Sequence, residues 1–457
     1  MKKLSVIFFI LLTFFVRMMA NSSEIKIPEW HKKVLKNGVK LVSLYTEKIP
    51  MVSINLIIPS GSALDPPGKE GLARLTARML LKGTKNRDEE RIAFDVEFLG
   101  GSLETYSSQD YSAISAEFMS KDVLKAIEIF FDVLLNPIFP EEEFKKEKER
   151  AMDLLKQEKD NPSLIASKEF FQFLFKDHPY AHSSIGSEET IEKIKLEDAI
   201  DFYKKRFIPN GSVFVIVGNF DKSSIGKIEN SLNMWKDRKT GLEPIKKLEE
   251  ILERRILIVD DPDQTQSQIR IGRISFVSKK DPDFPAAVLA NTILGGGFTS
   301  RLVNEVRVNR GLTYGINSSF VNYKSGGVFL VSTFTKNKST LETIKIIIDE
   351  LKKFKETSVT DAELEGAKNY ITGQFPRGLE TNNKLASQIG EIEFFNYPPE
   401  ILKNFLTEIK KVTKDDIQRV SQKHFDLGNF TLLVLSNAKE VEEDLKELGK
   451  YEVKRMK

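Results

Sequence analysis

The stretch GLARLTARMLLKGT, from Gly71 to Thr84, predicts an amphipathic helix with an apolar side and a basic side. Its apolar residues recur at helical spacing and form a stripe that we expect to be buried: Leu72, Leu75, Met79 and Leu80. Arg74, Arg78 and Lys82 follow one another at every fourth position and form a second stripe. Like charges one turn apart repel by a few tenths of a kcal/mol per pair. Spacing alone therefore favours a solvated basic face.

The elements predicted around this helix occur twice, in the same order. Each half begins with two apolar strands, followed by a helix, a further strand and two more helices. Phe207 in KRFIPNGSVFVIVG matches Phe425 in KHFDLGNFTLLVL, and Ile127 matches Ile344, so the two copies are offset by about 217 residues. The sequence therefore predicts an internal duplication.

Each copy predicts an α+β lobe, in which helices pack on one face of a mainly antiparallel sheet. We expect an N-terminal lobe at residues 21–235 and a C-terminal lobe at 256–457. The charged stretch at 236–255, which contains GLEPIKKLEEILERR, falls between the copies and is predicted to be a linker.

Residues 1–20 have the composition of a secretory signal peptide. Two lysines precede the apolar run LSVIFFILLTFFV, and Ala20 ends the segment before polar NSSE. The sequence therefore predicts export, with a periplasmic location. Arg17 and Met18 fit the cleavage site poorly, so an uncleaved N-terminal membrane anchor remains the alternative.

The composition excludes some classes of function. The chain has 457 residues with 69 Lys and Arg against 66 Asp and Glu, and loss of residues 1–20 would remove three of the basic ones. A balanced charge argues against nucleic acid as a partner. The sequence contains no cysteine, so disulfides and thiol catalysis are excluded, and no GxSxG motif supports serine catalysis.

Several segments along the chain carry a resemblance to a known family. They are GLARLTARMLLKGT, FLGGSLETYSSQDYSAISAEF, HPYAHSSIGSEETI, FYKKRFIPNGSVFVIVGNF and RGLTYGI. With these segments in order from about Ile27 to the C-terminus, the chain resembles the insulinase or pitrilysin-like zinc peptidases. The branch that contains mitochondrial processing peptidase is the most similar.

The resemblance implies a zinc-binding HxxEH motif on the first helix, and this chain has lost it. Arg74 and Arg78 stand at the two histidine positions and Ala77 at the glutamate position. A guanidinium has no lone pair for a metal ion and alanine cannot act as a base. The family's third ligand would fall within residues 153–158, in a register that the sequence leaves open. We therefore expect no metal ligand and no catalytic residue in this chain.

Other metal or phosphate sites find little support in the sequence. His178 and His182 in HPYAH have helical spacing, but Pro179 between them disfavours a helix. The glycines Gly295–Gly297 in LGGGFTSRL lack the Lys-Ser or Lys-Thr of a phosphate loop. We expect them to cap a helix that ends at Leu294 and to permit close backbone approach.

The resemblance also implies two substrate-binding residues in the C-terminal lobe. Family members use an Arg and a Tyr seven residues apart to hold the peptide backbone and the oxyanion, and NEVRVNRGLTYGI supplies Arg307 and Tyr314 at that spacing. On spacing alone a structural contact is an equal alternative. The family's peptide-binding edge strand would fall at GGSLETYSSQDY, where Glu104 and Thr105 replace the usual Asn-Ala.

These observations lead to one leading hypothesis of function. The chain is predicted to be a non-catalytic subunit of a heterodimeric zinc endopeptidase, with a homologous HxxEH-bearing subunit as partner. The zinc ion would belong to that partner, and extended peptides would be the substrates. The alternative is a peptide-binding or scaffold protein of the same fold that acts alone.

Overall fold

The computed structural model describes residues 27–236, 245–426 and 428–456. The predicted signal peptide lies outside these residues. Within the described part of the chain, no helix is long and apolar enough to cross a membrane.

Two six-stranded sheets, one in each lobe, organise the fold. The first has the order β1-β2-β6-β3-β5-β4, with strands β1 (His31–Val34), β2 (Lys40–Tyr45), β3 (Met51–Ile58), β4 (Ser102–Ser107), β5 (Ser112–Met119) and β6 (Val213–Gly218). The second has the order β12-β7-β11-β8-β10-β9, with strands β7 (Arg255–Asp260), β8 (Gln266–Ser275), β9 (Ile316–Tyr323), β10 (Gly326–Lys336), β11 (Thr431–Ser436) and β12 (Glu452–Arg455).

The helices of the N-terminal lobe surround a core between them and the first sheet. They are α1 (Leu72–Met79), α2 (Glu89–Phe98), α3 (Val123–Leu135), α4 (Glu141–Lys159), α5 (Pro162–Phe175), α6 (Glu188–Lys193), α7 (Leu196–Arg206) and α8 (Lys222–Met234). Helix α4 is long, with 19 residues, and is highly charged. Its first turn carries three glutamates and its last turn two lysines, which suits the helix dipole at both ends.

The C-terminal lobe repeats the arrangement around a second core. Its α-helices are α9 (Phe284–Asn291), α10 (Thr340–Glu356), α11 (Asp361–Gln374), α12 (Asn382–Phe394), α13 (Glu400–Lys403), α14 (Phe405–Lys411), α15 (Lys414–His424) and α16 (Ala438–Leu445). Two π-helical segments, Thr292–Gly296 and Val303–Asn309, follow α9.

The duplicated α+β fold is therefore confirmed, because the two strand orders match when β2, β6, β3, β5 and β4 are set against β7, β11, β8, β10 and β9. Each sheet is mainly antiparallel; the parallel neighbours are β2 and β6 in the first sheet, and β7 with both β11 and β12 in the second. Helix α8 ends at Met234 and β7 begins at Arg255. The linker boundaries at 236 and 255 stay a prediction, since residues 237–244 lie outside the described part.

The second face of each sheet is covered by a helix from the other lobe, which the sequence did not indicate. Helix α5 packs on β8 and β11, and Phe170 is fully buried there against Leu433 and Leu435. Helix α12 packs in turn on β3 and β6, where Ile389 is buried in a cluster with the β6 valines. Each lobe therefore contributes one helix to the sheet of the other, in two apolar clusters that contain residues of both lobes.

Buried polar contacts fix this exchange. Arg270 on β8 is almost fully buried and donates from Nη2 to the Ser163 carbonyl oxygen at 2.8 Å and to Ser163 Oγ at 2.7 Å, and from Nε to Ser167 Oγ at 3.1 Å. Burial lowers the pKa of Arg270 to about 10. At a second point, Tyr180 donates to Asp110 Oδ1 at 2.6 Å, and the Lys324 backbone N–H donates to Asp110 Oδ2 at 2.8 Å. The bonds from Arg270 and Lys324 cross from one lobe to the other, and Tyr180 holds Asp110 in place within the N-terminal lobe.

Candidate functional site

Helix α1, which carries the positions of the lost motif, is held at its N-terminus by Asp65. The Asp65 carboxylate accepts from the backbone N–H groups of Gly71 at 2.8 Å and Ala73 at 2.7 Å, so it caps two donors that lack helical partners. Gly71 has φ 102°, and a Cβ there would lie 2.6 Å from the Ile185 carbonyl oxygen, so only glycine fits. These contacts fix where helix α1 begins.

The helix is shorter than the sequence predicts. It ends at Met79, and the following backbone N–H groups of Leu80, Leu81 and Lys82 bond to carbonyls three residues back, in tightened turns. Lys82 therefore leaves the helical stripe and turns inward, where its side chain is buried.

The expectation of a solvated basic face was wrong. Arg78 Nε donates to Glu147 Oε2 on α4, Lys82 Nζ lies 3.0 Å from Glu147 Oε1, and Arg150 also donates to Oε1. Lys82 donates in addition to Glu89 Oε1 at 2.5 Å. Glu147 is 1% exposed. A single buried carboxylate therefore pairs with three cations. The like charges are tolerated because this carboxylate lies between them.

The three cations decide the charge state of Glu147. Burial alone would raise the pKa of this carboxyl, but hydrogen bonds from Arg78 and Lys82 outweigh it and lower the pKa to about 2. Glu147 is thus ionised at every physiological pH. Its carboxylate is committed to holding α1 against α4.

Arg74 occupies the first histidine position and has a different environment. Its side chain is half-buried, and no hydrogen bond or ion pair engages its guanidinium among the described residues. It lines a pocket of about 320 Å³ between α1 and α4, together with Arg78, Glu147 and Arg150. Burial, and then the like charge of Arg78, lower the pKa of Arg74. Asp153 and Leu154, within the region predicted for the third ligand, also line this pocket.

The residues present do not fit a zinc ion. Two guanidiniums offer no lone pair, and the one fully buried carboxylate already accepts from three cations. Leu154 and Ala77 add no donor atom. No catalytic step through a metal ion can be written for the pocket of this chain.

One other cluster of metal-ligand type exists in the described residues, and the sequence analysis missed it. Ligand atoms of Asp281, Asp283 and His424 lie within 4.8 Å of one another. Asp283 already pairs with Arg419 and with Lys423, whose Nζ is 2.8 Å from Oδ2, so two cations compete with any metal ion there. Burial alone would raise the pKa of Asp283, but hydrogen bonds from Lys423 and Arg419 outweigh the effect of burial and lower the pKa to about 2.

The histidines of HPYAH have local structural roles. His178 Nδ1 accepts from the Tyr180 backbone N–H at 3.1 Å, and its Nε2 lies 2.8 Å from the Lys246 carbonyl oxygen. His182 Nδ1 lies 3.2 Å from the Ser183 carbonyl oxygen, and burial lowers its pKa. The segment forms a single 3₁₀ turn, as the proline between them favours, rather than a helix.

Arg307 and Tyr314 lie on the surface of the C-terminal lobe. Arg307 lies on the π-helical segment Val303–Asn309. The apolar residues at the start and middle of this segment are buried: Leu302, Val303 and Val306. Gly311, at φ 61°, ends it and turns the chain toward β9, which begins two residues after Tyr314.

The hydrogen-bond donors of the Arg307 and Tyr314 side chains have no partner among the described residues. Tyr314 is 84% exposed. The Arg307 guanidinium carbon lies 5.0 Å from the centre of the exposed Phe298 ring, a cation–π contact. Among the described residues no hydrogen bond or ion pair engages either side chain.

The glycine segment supports this surface. The helix runs through the π turn to Gly296, two residues past the predicted end at Leu294. A Cβ at Gly295 would lie 2.5 Å from Ser318 Oγ, which confirms the close approach that the sequence predicts.

Strand β4, which carries Glu104 and Thr105, lies at the edge of the first sheet, so one of its sides is free of a neighbouring strand.

Two homologous six-stranded lobes, with a motif helix that has lost its metal ligands, define a peptidase-like protein of the duplicated zinc-peptidase type. The model of the insulinase family (peptidase family M16) matches residues 40–188, and that of the peptidase M16 inactive domain matches residues 193–371. The chain belongs to the M16 peptidase family.

The chain is also similar to curated proteins. A protein of Helicobacter pylori named non-peptidase homolog YmxG is 27% identical over 410 residues, which cover 88% of this chain and 93% of that protein. The uncharacterized zinc protease YmxG of Bacillus subtilis is 24% identical over 392 residues, covering 85% of this chain and 94% of that protein.

Solved structures are similar over the full fold. A peptidase M16 inactive domain from Pseudomonas fluorescens superposes with a TM-score of 0.84 at 27% identity, covering 89% of this chain and 98% of that one. A protease from Helicobacter pylori superposes with a TM-score of 0.82 at 22% identity, covering 90% of this chain and 100% of that one, and this likeness concerns the fold alone.

Proposed function

We propose that this chain is a non-catalytic subunit that helps to bind and position extended peptides at the zinc site of a separate, HxxEH-bearing chain. The observation that carries the proposal is the pairing of Arg78 with Glu147, because it fills the place of a metal site with an internal ion pair. Hydrolysis would then need ligands from another polypeptide. The name non-peptidase homolog, given to the Helicobacter pylori relative, is consistent with this assignment.

Arg307 and Tyr314 are the residues that we assign to the substrate. The guanidinium and the phenol would donate hydrogen bonds to the peptide backbone and to the oxyanion that develops at the partner's zinc site. Tyr314 is exposed and Arg307 is half-buried, and the lack of hydrogen-bond partners for both side chains among the described residues leaves these donors free for that purpose. The partner would face this part of the C-terminal lobe, which also exposes Phe298 and Val308.

A second candidate is a peptide-binding protein that works without a proteolytic partner. The unpaired edge of β4 favours it, because an extended peptide can add to such an edge as a further strand. An adjacent reading frame that encodes an HxxEH homologue would favour the heterodimer over this candidate.

The two candidates are separated by measuring cleavage of an unstructured peptide. The chain is purified alone and with the HxxEH-bearing neighbour, and each sample is assayed with and without a chelator. We expect no cleavage by the chain alone and chelator-sensitive cleavage by the complex. Chelator-sensitive cleavage by this chain alone would falsify the proposal.

The role of the exposed pair is tested in the complex. Arg307→Ala and Tyr314→Phe are each expected to lower kcat/KM by about tenfold or more, since each removes a donor to the transition state. Arg310→Ala is the matched control, because Arg310 is a nearby arginine that already pairs with Glu305 at 2.8 Å. If Arg307→Ala and Tyr314→Phe were as active as Arg310→Ala, with complex formation intact, Arg307 and Tyr314 would not be the residues that hold the substrate.

A further inference from the structure

The pocket beside Arg74 has a chemistry that the proposed function does not use. Helices α1 and α4 form its two long walls, and Ile185 and Ile191 close one side. Its volume of about 320 Å³ is at the lower end of the range for small-ligand pockets. It can hold one or two terminal groups of a larger molecule.

The charges that line the pocket do not balance. Arg74, Arg78 and Arg150 face two carboxylates, Glu147 and Asp153, which leaves a surplus of one positive charge. Glu147 already accepts from Arg78, Arg150 and Lys82, and Asp153 pairs with Lys156 at 3.3 Å. Glu158 and Glu147 attract Arg74 electrostatically, but neither forms a hydrogen bond or ion pair with it among the described residues. Arg74 is therefore the arginine of this pocket whose donors have no protein partner in the described part of the chain.

Arg74 is held in an unfavourable state by this arrangement. Its guanidinium is half-buried and without a hydrogen bond or ion pair in the described part of the chain, although a guanidinium stays protonated at every physiological pH. A desolvated charge with unmet donors costs free energy that a matching anion would recover. The five N–H donors of a guanidinium match a planar carboxylate in a bidentate pair.

We propose that this pocket binds a carboxylate carried by a peptide, with Arg74 as its principal contact. A singly charged carboxylate matches the surplus of one positive charge among the residues that line the pocket. A peptide is the carrier because α1 packs against β4, whose outer edge is free to receive an extended chain. The carboxylate comes from the peptide's C-terminus or from an acidic side chain.

The test measures binding of fluorescent peptides to the purified full chain by polarisation, with no partner present. Three peptides share one neutral, flexible sequence: one ends in a free carboxylate, one is amidated, and one is amidated but carries a glutamate next to the end. We expect one of the two peptides that carry a carboxylate to bind at least about tenfold more tightly than the neutral one. The peptide that gains affinity identifies the source of the carboxylate.

Variants then assign the gain to Arg74. Arg74→Gln is expected to abolish the preference and Arg74→Lys to retain part of it, whereas Arg377→Gln, at an exposed arginine of the C-terminal lobe, should leave it unchanged. Melting curves establish that each variant is folded. If Arg74→Gln does not fold, the salt dependence of peptide binding to the wild-type chain is measured instead. Added salt must weaken the binding of the charged peptide and leave the binding of the neutral one unchanged.

The proposal is overturned if both carboxylate peptides bind no more tightly than the neutral one, if the preference survives in Arg74→Gln, or if inorganic phosphate competes where acetate does not. Because the isolated chain is used, these outcomes are independent of whether a proteolytic complex forms.

Discussion

Arg78 and Arg307 are both arginines at positions that the family resemblance connects with the active site, and the structure treats them in opposite ways. Arg78 donates to a fully buried carboxylate and joins α1 to α4. The Arg307 guanidinium lies over an exposed phenylalanine and donates no hydrogen bond within the described chain. The first has become part of the fold, whereas the second keeps its donors available. The N-terminal arginine therefore serves the packing of two helices, whereas the C-terminal one has no hydrogen-bond partner within the described chain.

The largest effect is expected from Glu147→Gln. The substitution leaves Arg78, Lys82 and Arg150 close together without their shared anion, and breaking a buried ion pair from one side costs about 3 kcal/mol or more. The midpoint of urea unfolding should fall accordingly. Glu142→Gln is the control, since Glu142 is exposed on the same helix, and it should change the free energy of unfolding by less than about 0.5 kcal/mol. Equal effects of the two variants would contradict the role of Glu147.

The same carboxylate should give the stability a defined pH dependence. Its pKa in the folded protein is about 2, below the ordinary value of 4.5, so it stabilises the fold fully above pH 4.5. The contribution, about 3 kcal/mol, is lost as the pH falls from about 4.5 to about 2. The difference in urea midpoint between wild type and Glu147→Gln should therefore narrow over this interval. A constant difference would show that the carboxylate charge is not responsible.

A smaller effect is expected from Arg78→Met, which tests the comparison directly. Lys82 and Arg150 remain on Glu147, so the cost should be about 1–2 kcal/mol. Urea unfolding measures it.

The smallest effect is expected from Arg307→Met, the surface counterpart of that variant. It removes no internal hydrogen bond, so the free energy of unfolding should change by less than about 0.5 kcal/mol. If Arg307→Met destabilised the protein as much as Arg78→Met, the contrast between a structural and an available arginine would be wrong.

The duplicated fold was predictable because helix and strand periods repeat at a constant offset along the chain. The buried position of Glu147 also left a signal that we did not use. It lies at helical spacing among apolar residues, with Phe144, Ala151 and Leu155 on the same buried face of α4. An acid within an apolar stripe indicates a buried partner of opposite charge.

Other features could not be predicted from the sequence. The partner of Arg78 lies 69 residues away, so the pairing depends on how α1 and α4 cross and not on any local pattern. The inward turn of Lys82 depends in the same way on where α1 ends. The uninterrupted apolar run VFVIV in β6 is consistent with burial on both faces, but no local pattern identifies α12 as the helix that covers the second face.

The exchange of α5 and α12 makes neither half of the duplication self-sufficient. A fragment that ends near residue 236 would carry α5 without the sheet that receives it, and would leave one face of its own sheet bare. Each fragment produced separately should aggregate, while both produced together should reassemble by complementation. A single-copy ancestor faced the same constraint, and pairing with an identical molecule through mutual helix donation would have satisfied it. Gene fusion would then have made a symmetric dimer permanent, freeing its two halves to diverge.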